Sequence, residues 1–265
     1  MQRRDLFAVG LAAASLAGPL RASARSDSPP FVLVHGAWHG GWCWKHVAAS
    51  LRAAGHLVFT PTLTGLGERR HLLSPQVNLD THIDDIVNLL EYEELEDVVL
   101  VGHSYAGIVI SGVADRARAR LRQLVFLDSL LLESGKSLFS DFPQSVVDQR
   151  LKTIRETGAG VGAAPALPPS AFGVTAAADA AWVQRRMTPQ PVGTYLQPLQ
   201  LKSSLGSGLP KTYIECTVDP IPTLEPTKAR VRADAGWQTR KLATGHDAMV
   251  TAPGPLSELL RELAA

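Results

Sequence analysis

The chemistry in this chain concentrates on one serine, one histidine and a choice of carboxylates, each set at the end of a predicted strand. Ser104 stands in Val98-Val-Leu-Val-Gly-His-Ser-Tyr-Ala-Gly107, an apolar strand-type run that must become a helix within a few residues. A serine at such a turn is held in a strained backbone conformation, with its hydroxyl exposed above the sheet. Read as structure alone, the same residues make a tight turn with a capping serine. A hydroxyl is a weak nucleophile until a neighbouring base takes its proton. The serine therefore needs a histidine, and the histidine needs a carboxylate to hold its tautomer and stabilise its charged form.

Eight histidines are available, so position decides between them. His246 lies in Thr244-Gly-His-Asp247, in the loop between the last predicted strand and the last helix, on the same sheet edge as Ser104. His35 and His103 approach that edge but sit in tight turns beside glycine. His56, His71 and His82 have helix-flanking or surface-like settings, and His39 and His46 belong to a Trp-rich segment where they are substrate contacts at most. For the acid, Asp219 follows the predicted strand Thr212 to Cys216 and precedes Pro220-Ile-Pro222. The chain order Ser, Asp, His is the order of hydrolases built on this kind of sheet. Asp128, at the end of the strand after Ser104, is the rival, and Asp247 is expected to point away from its neighbour His246. A tetrahedral intermediate needs two backbone N–H groups aimed at its oxyanion. Tyr105 supplies one, and Ala37 is the best second donor, in a loop whose small residues let backbone approach substrate. Trp38, Phe139 and Trp182 are expected to shape an apolar pocket.

The elements that must carry these residues follow from hydrophobic period. Strand-type runs fall at Phe31 to Val34, Leu57 to Thr60, Asp97 to Val101, Leu124 to Leu127, Thr212 to Cys216 and Gln238 to Leu242. Helical spacing marks Trp42 to Ala54, Leu79 to Leu90, Tyr105 to Ala119, Leu224 to Ala233 and Leu256 to Leu263. Alternating strands and helices with mostly continuous apolar strands predict an α/β fold, a mainly parallel sheet of about six strands flanked by helices. Ligands bind such sheets at the strand C-termini. The rhythm breaks between 133 and 208, where short helices are expected at Ala177 to Met187 and Pro191 to Leu201. That segment is predicted to be a lid inserted into a core formed by 25–132 and 209–265.

Composition narrows the function classes. The 265-residue chain is 45% hydrophobic with a formal net charge of +1, and no basic stripe interleaves with aromatics, so nucleic acid is a poor partner. No Cys/His cluster has zinc spacing and no glycine-rich loop ends in Lys-Ser/Thr; no metal or cofactor is implied. Two cysteines, Cys43 and Cys216, make no disulfide scaffold and are expected to pack unpaired in the interior. Arg3-Arg4, the apolar run Leu6 to Leu20 and Ala22-Ser-Ala24 follow the order of an export signal of the twin-arginine type over 1–24. Gly18, Pro19 and Arg21 interrupt the apolar run too early for a comfortable membrane span, so a periplasmic or secreted chain without stable membrane insertion is expected.

Three segments, Phe31-Val-Leu-Val-His-Gly-Ala-Trp-His-Gly-Gly-Trp-Cys-Trp44, Val98 to Gly107 and Gly245-His246, resemble the α/β-hydrolase superfamily. The likeness is to the branch of plant methylesterases, hydroxynitrile lyases and related bacterial carboxylesterases. Pro61-Thr-Leu-Thr-Gly-Leu-Gly-Glu-Arg69 is similar to bacterial esterases of that branch, some of which cleave pyrethroid-type esters. The resemblance spans Phe31 to Ala265 and is weakest in the lid. It implies Ser104 as nucleophile, Asp219 as acid, His246 as base, and Ala37 and Tyr105 as oxyanion donors. Ala106 replaces the usual last glycine of Gly-x-Ser-x-Gly. Lyase members typically carry threonine at the place of Gly36 and lysine directly after the catalytic histidine, where this chain has Asp247. The expected activity is therefore hydrolysis of small hydrophobic or aromatic carboxylic esters through an acyl-enzyme. A lyase, or a ligand-binding member of the fold, is the alternative.

Overall fold

The computed structural model describes residues 28–140, 142–157 and 162–265; the export-signal expectation over 1–24 lies outside them. Six parallel strands form the main sheet: β1 (Phe31–Val34), β2 (Val58–Phe59), β3 (Val98–His103), β4 (Leu121–Leu127), then β7 (Lys211–Cys216) and β8 (Gln238–Leu242), after a two-stranded insertion defined below. Their spatial order is β2-β1-β3-β4-β7-β8. Side chains alternate across each strand, and the two faces bury separate clusters. Phe31 and Leu33, with Val99 and Val101, pack on α1 (Lys45–Ala53) and on α9 (Pro253–Ala264). Val32 and Val34, with Leu100, pack on α2 (Leu79–Tyr92), α3 (Ala106–Ala117) and α7 (Glu225–Ala233). Burial on both faces is why β1 and β3 read as unbroken apolar runs. The open edge is blunted: β8 reads Gln-Thr-Arg-Lys-Leu and is largely exposed. Local signals fix the helix starts, as where Asn78 and Thr81 cap α2 reciprocally, side chain to backbone N–H, at 3.0 and 3.3 Å.

Between β4 and β7 the chain leaves the sheet. It forms α4 (Gln144–Thr157), the antiparallel pair β5 (Ala163–Ala164) and β6 (Gln190–Pro191), α5 (Ala177–Gln184) and the single turn α6 (Gly193–Leu196). The helix predicted over Pro191 to Leu201 shrinks to that turn. The helix α4 carries no strong sequence signal, because only Val147 and Ile154 of its fourteen residues are buried. The segment packs over the C-terminal edge of the sheet: Gly173 lies against Gly245, and Thr188 donates its N–H to the Trp38 carbonyl at 2.9 Å. A further turn, α8 (Ala248–Thr251), follows His246. Both cysteines are buried free thiols. No helix of the described residues is long and apolar enough to cross a membrane.

Candidate active site

Four non-glycine residues just beyond strand C-termini adopt positive φ, a conformation that side chains pay for with strain and that clusters at functional sites. They are Trp38 (φ 65°) after β1, Ser104 (φ 54°) after β3, Asp128 (φ 41°) after β4 and Asp219 (φ 48°) after β7. The Ser104 turn is held by its neighbours: its N–H donates to the Leu127 carbonyl at 3.1 Å, and its own carbonyl accepts from Gly107 and Leu130 at 3.0 Å each. Ala106, the departure from the usual glycine, is fully buried behind the turn.

His246 is almost completely buried, and its Nδ1 donates to Asp128 Oδ2 at 2.7 Å. The other carboxylate oxygen of Asp128 receives the Lys228 ammonium at 2.8 Å and the Cys216 N–H at 3.3 Å. Burial alone would raise the Asp128 carboxyl, but the hydrogen bond and charge of His246, joined by those of Lys228, hold it below the ordinary carboxylate range.

This corrects the expectation for Asp219. Past Cys216 the chain keeps pairing along the neighbouring strand, with Thr217 N–H on the Leu242 carbonyl at 3.1 Å and Val218 N–H on the Thr244 carbonyl at 3.0 Å. Asp219 is carried beyond the sheet edge to an exposed place on the cavity wall, and among the described residues it makes no hydrogen bond with His246. Asp247 points away from His246, as expected, and accepts from His39 Nε2 at 3.0 Å. His39 Nδ1 donates to the Ala37 carbonyl at 2.8 Å. Both ring nitrogens thus face acceptors, an arrangement that favours the doubly protonated form. Burial opposes that charge, yet Asp247 raises His39 above the usual histidine value.

The N–H groups of Ala37 and Tyr105 find no acceptor among the described residues, and both residues line the same cavity as Ser104 and His246. Tyr105 is fixed by His82, whose Nε2 donates to the Thr64 carbonyl at 2.9 Å and whose Nδ1 accepts the tyrosine O–H at 3.0 Å. The cavity holds about 850 Å³ and is mostly apolar, walled by Leu131, Leu138, Phe139, Ile154 and Tyr195. Trp38 and Phe139 line it. Trp182 does not: it sits on α5 against Trp42, ring centroids 5.0 Å apart, with the Arg186 guanidinium over its ring, 4.9 Å from the centroid. Among the described residues no group of His, Cys, Asp and Glu is arranged to hold a metal ion.

Sequence reasoning missed Lys228, although a signal existed: Leu224, Lys228 and Val231 share one helical stripe, and all three are buried. No pattern in the sequence marks the pairing of His39 with Asp247.

Comparison with known proteins agrees with this architecture. The family model described as Alpha/beta hydrolase family matches residues 31–259. The chain is 43% identical over 240 residues to a carbendazim hydrolyzing esterase from Nocardioides sp. (strain SG-4G), covering 88% of this chain and 98% of the relative. It is 28% identical over 258 residues to Methylesterase 10 from Arabidopsis thaliana, covering 89% and 91%. In fold it is similar to an extracellular alpha/beta-hydrolase from a Paenibacillus species, with a TM-score of 0.75 and 24% identity over 89% of this chain and 99% of that one.

Proposed function

The chain belongs to the alpha/beta hydrolase family and is a carboxylesterase, and from that premise we propose a mechanism, a substrate class and a location. Ser104 attacks the ester carbonyl while His246 Nε2 takes the hydroxyl proton. The negative oxygen of the tetrahedral intermediate accepts from the N–H groups of Ala37 and Tyr105. Collapse expels the alkoxide, which leaves as the alcohol with the proton from His246. Water then attacks the acyl-serine by the same route, giving the acid and free Ser104. Asp128 holds His246 in the tautomer with its proton on Nδ1 and stabilises the imidazolium formed in each half-reaction.

The observation that carries this reading is the buried His246–Asp128 hydrogen bond of 2.7 Å at a cavity shared with the strained Ser104. The apolar walls favour small hydrophobic or aromatic esters, and the names of the relatives point to methyl esters and carbendazim as first substrates. A cyanohydrin-cleaving role is disfavoured because a side-chain carbon at Gly36 would come 2.8 Å from His103 Nδ1 and 3.0 Å from Ser104 Cβ. There is no room there for the threonine of lyases.

The test is a panel of p-nitrophenyl and methyl esters with carbendazim, run on wild type and on Ser104→Ala, Asp128→Asn and Asp219→Asn. We expect Ser104→Ala to be inactive. Asp128→Asn should lose about a thousandfold or more in kcat, with Asp219→Asn retaining most activity. Loss confined to Asp219→Asn would return the acid to that residue, and an active Ser104→Ala would remove the mechanism. Export rests on Arg3-Arg4 and Ala22-Ser-Ala24. It is tested by cell fractionation and by whether the mature protein begins near Arg25.

A further inference from the structure

Lys228 is an unusual occupant of a core. It projects from the buried side of α7 and is 1% exposed, and a lysine is almost never fully buried unless paired. Its ammonium meets Asp128 Oδ1 at 2.8 Å and the Cys216 carbonyl at 3.4 Å. Asp128 is equally buried, and its second oxygen is the one that holds His246. One carboxylate thus serves two cations when His246 is protonated, and one when it is not.

We infer that Lys228 is a charge-tuning and positioning partner of the catalytic pair, limiting how strongly Asp128 stabilises protonated His246 and so extending ester hydrolysis toward acidic pH. The inference rests on the reading of Asp128 as the acid. A carboxylate that binds imidazolium alone lends it a full negative charge. Here the ammonium sits on the opposite oxygen and offsets much of that charge, with both groups buried away from solvent screening. Asp128 accordingly stabilises the imidazolium less than an unpaired carboxylate would, and the acidic limb of the activity profile reports the difference. The same contact fixes the carboxylate, since Oδ1 cannot swing toward the histidine while it is held by Lys228 and the Cys216 N–H.

Other charges near the pair do not supply this effect. On the side of His246, His103 is a neutral ring, and Asp247 is offset by protonated His39. Around Asp128, the Tyr213 hydroxyl and Cys216 thiol are both pushed up by burial and stay neutral. Glu215 sits on β7 with its carboxylate bonded to Arg232. Lys228 is the cation that reaches Asp128.

The experiment compares Lys228→Gln, Lys228→Met and Lys228→Arg with wild type, following kcat/KM for a p-nitrophenyl ester from pH 5 to 9. A fluorophosphonate label on Ser104 counts competent sites, so that each profile is read on folded enzyme. Both neutral variants should move the acidic limb of the profile up by about one pH unit. Lys228→Gln, which keeps an N–H donor for Asp128, separates lost charge from lost packing. Lys228→Arg should keep the limb near its wild-type position. A folded neutral variant with the wild-type limb overturns the inference, and so does a limb moved equally by arginine. Asp128→Asn, run beside them, separates failure of the inference from failure of its premise: near-normal activity there removes the premise itself.

Discussion

At the scale of single residues, Gly36 shows how tightly the site is built. A Cβ there would lie 2.8 Å from His103 Nδ1 and 3.0 Å from the Cβ of Ser104. His103 cannot yield freely, because it is buried and its Nε2 donates to the His246 carbonyl at 3.0 Å. Any side chain at 36 therefore pushes on Ser104 and, through His103, on His246. Gly36→Thr is expected to lower kcat on the order of a hundredfold, the cost of misplacing reacting groups by about an ångström, while KM changes little. Steady-state kinetics on a soluble, folded variant measure this, and an unchanged kcat would contradict it. The same tightness explains which candidate residues are legible in the sequence. Ser104, His246, Ala37 and Tyr105 sit in short local patterns whose geometry the neighbouring residues dictate. The choice between Asp128 and Asp219 turned on a non-local fact, the continued pairing of Thr217 and Val218 beside β8, which carries Asp219 off the edge.

At the scale of elements, the loop after β1 is tied to the insertion rather than left free over the cavity. Trp38 donates its N–H to Gln190 Oε1 at 3.1 Å and its indole N–H to the Ala164 carbonyl at 3.2 Å, so both strands of the β5–β6 pair grip it. Gln190 is itself buried and spends its amide N–H on Thr194 Oγ1 at 2.9 Å. Gln190→Ala leaves the Trp38 N–H without its partner, which costs about 1–3 kcal/mol of stability. It also loosens the loop carrying Ala37, so kcat should fall about tenfold. Chemical denaturation and kinetics on the one variant check both effects; a loss of stability with unchanged kcat would mean that the insertion does not position the loop after β1 for activity. Strands β1 and β3 are legible because double-sided burial writes itself as continuous apolar runs, whereas β8 is polar and largely exposed and carries no such signal. Within the insertion α5 is legible, but α4 and the β5–β6 pair are not, because α4 buries so little and the pair consists of two residues a side.

At the scale of the whole molecule, the buried histidines dictate how stability responds to pH. His35 is held neutral, its Nδ1 donating to the Gly36 carbonyl at 2.8 Å and its Nε2 accepting the Leu63 N–H at 3.0 Å. Burial lowers it to about 3, and His103 likewise to about 3, while His82 falls to about 4. Unfolded, all three titrate near 6.5. Between pH 6.5 and 4 the unfolded chain therefore binds protons that the native state refuses, and stability must fall as pH falls through that window. Each histidine contributes about 1.4 kcal/mol per pH unit inside it. His39 acts oppositely: raised in the native state by Asp247 against the pull of burial, it contributes stability below 6.5 that is lost as pH rises through its folded value. Asp128 and Asp247, both held low by their partners against burial, lose their contribution only as pH falls below the ordinary carboxylate range. Stability should thus peak near neutrality and decline steeply toward pH 4. His82→Gln should flatten the acidic slope of unfolding free energy by about 1.4 kcal/mol per pH unit, measured by urea titrations at half-unit steps. Asp247→Asn should steepen that slope, because burial alone would then hold His39 neutral beside the other three, and should remove the loss as pH rises through the folded value of His39; an unchanged slope would contradict this.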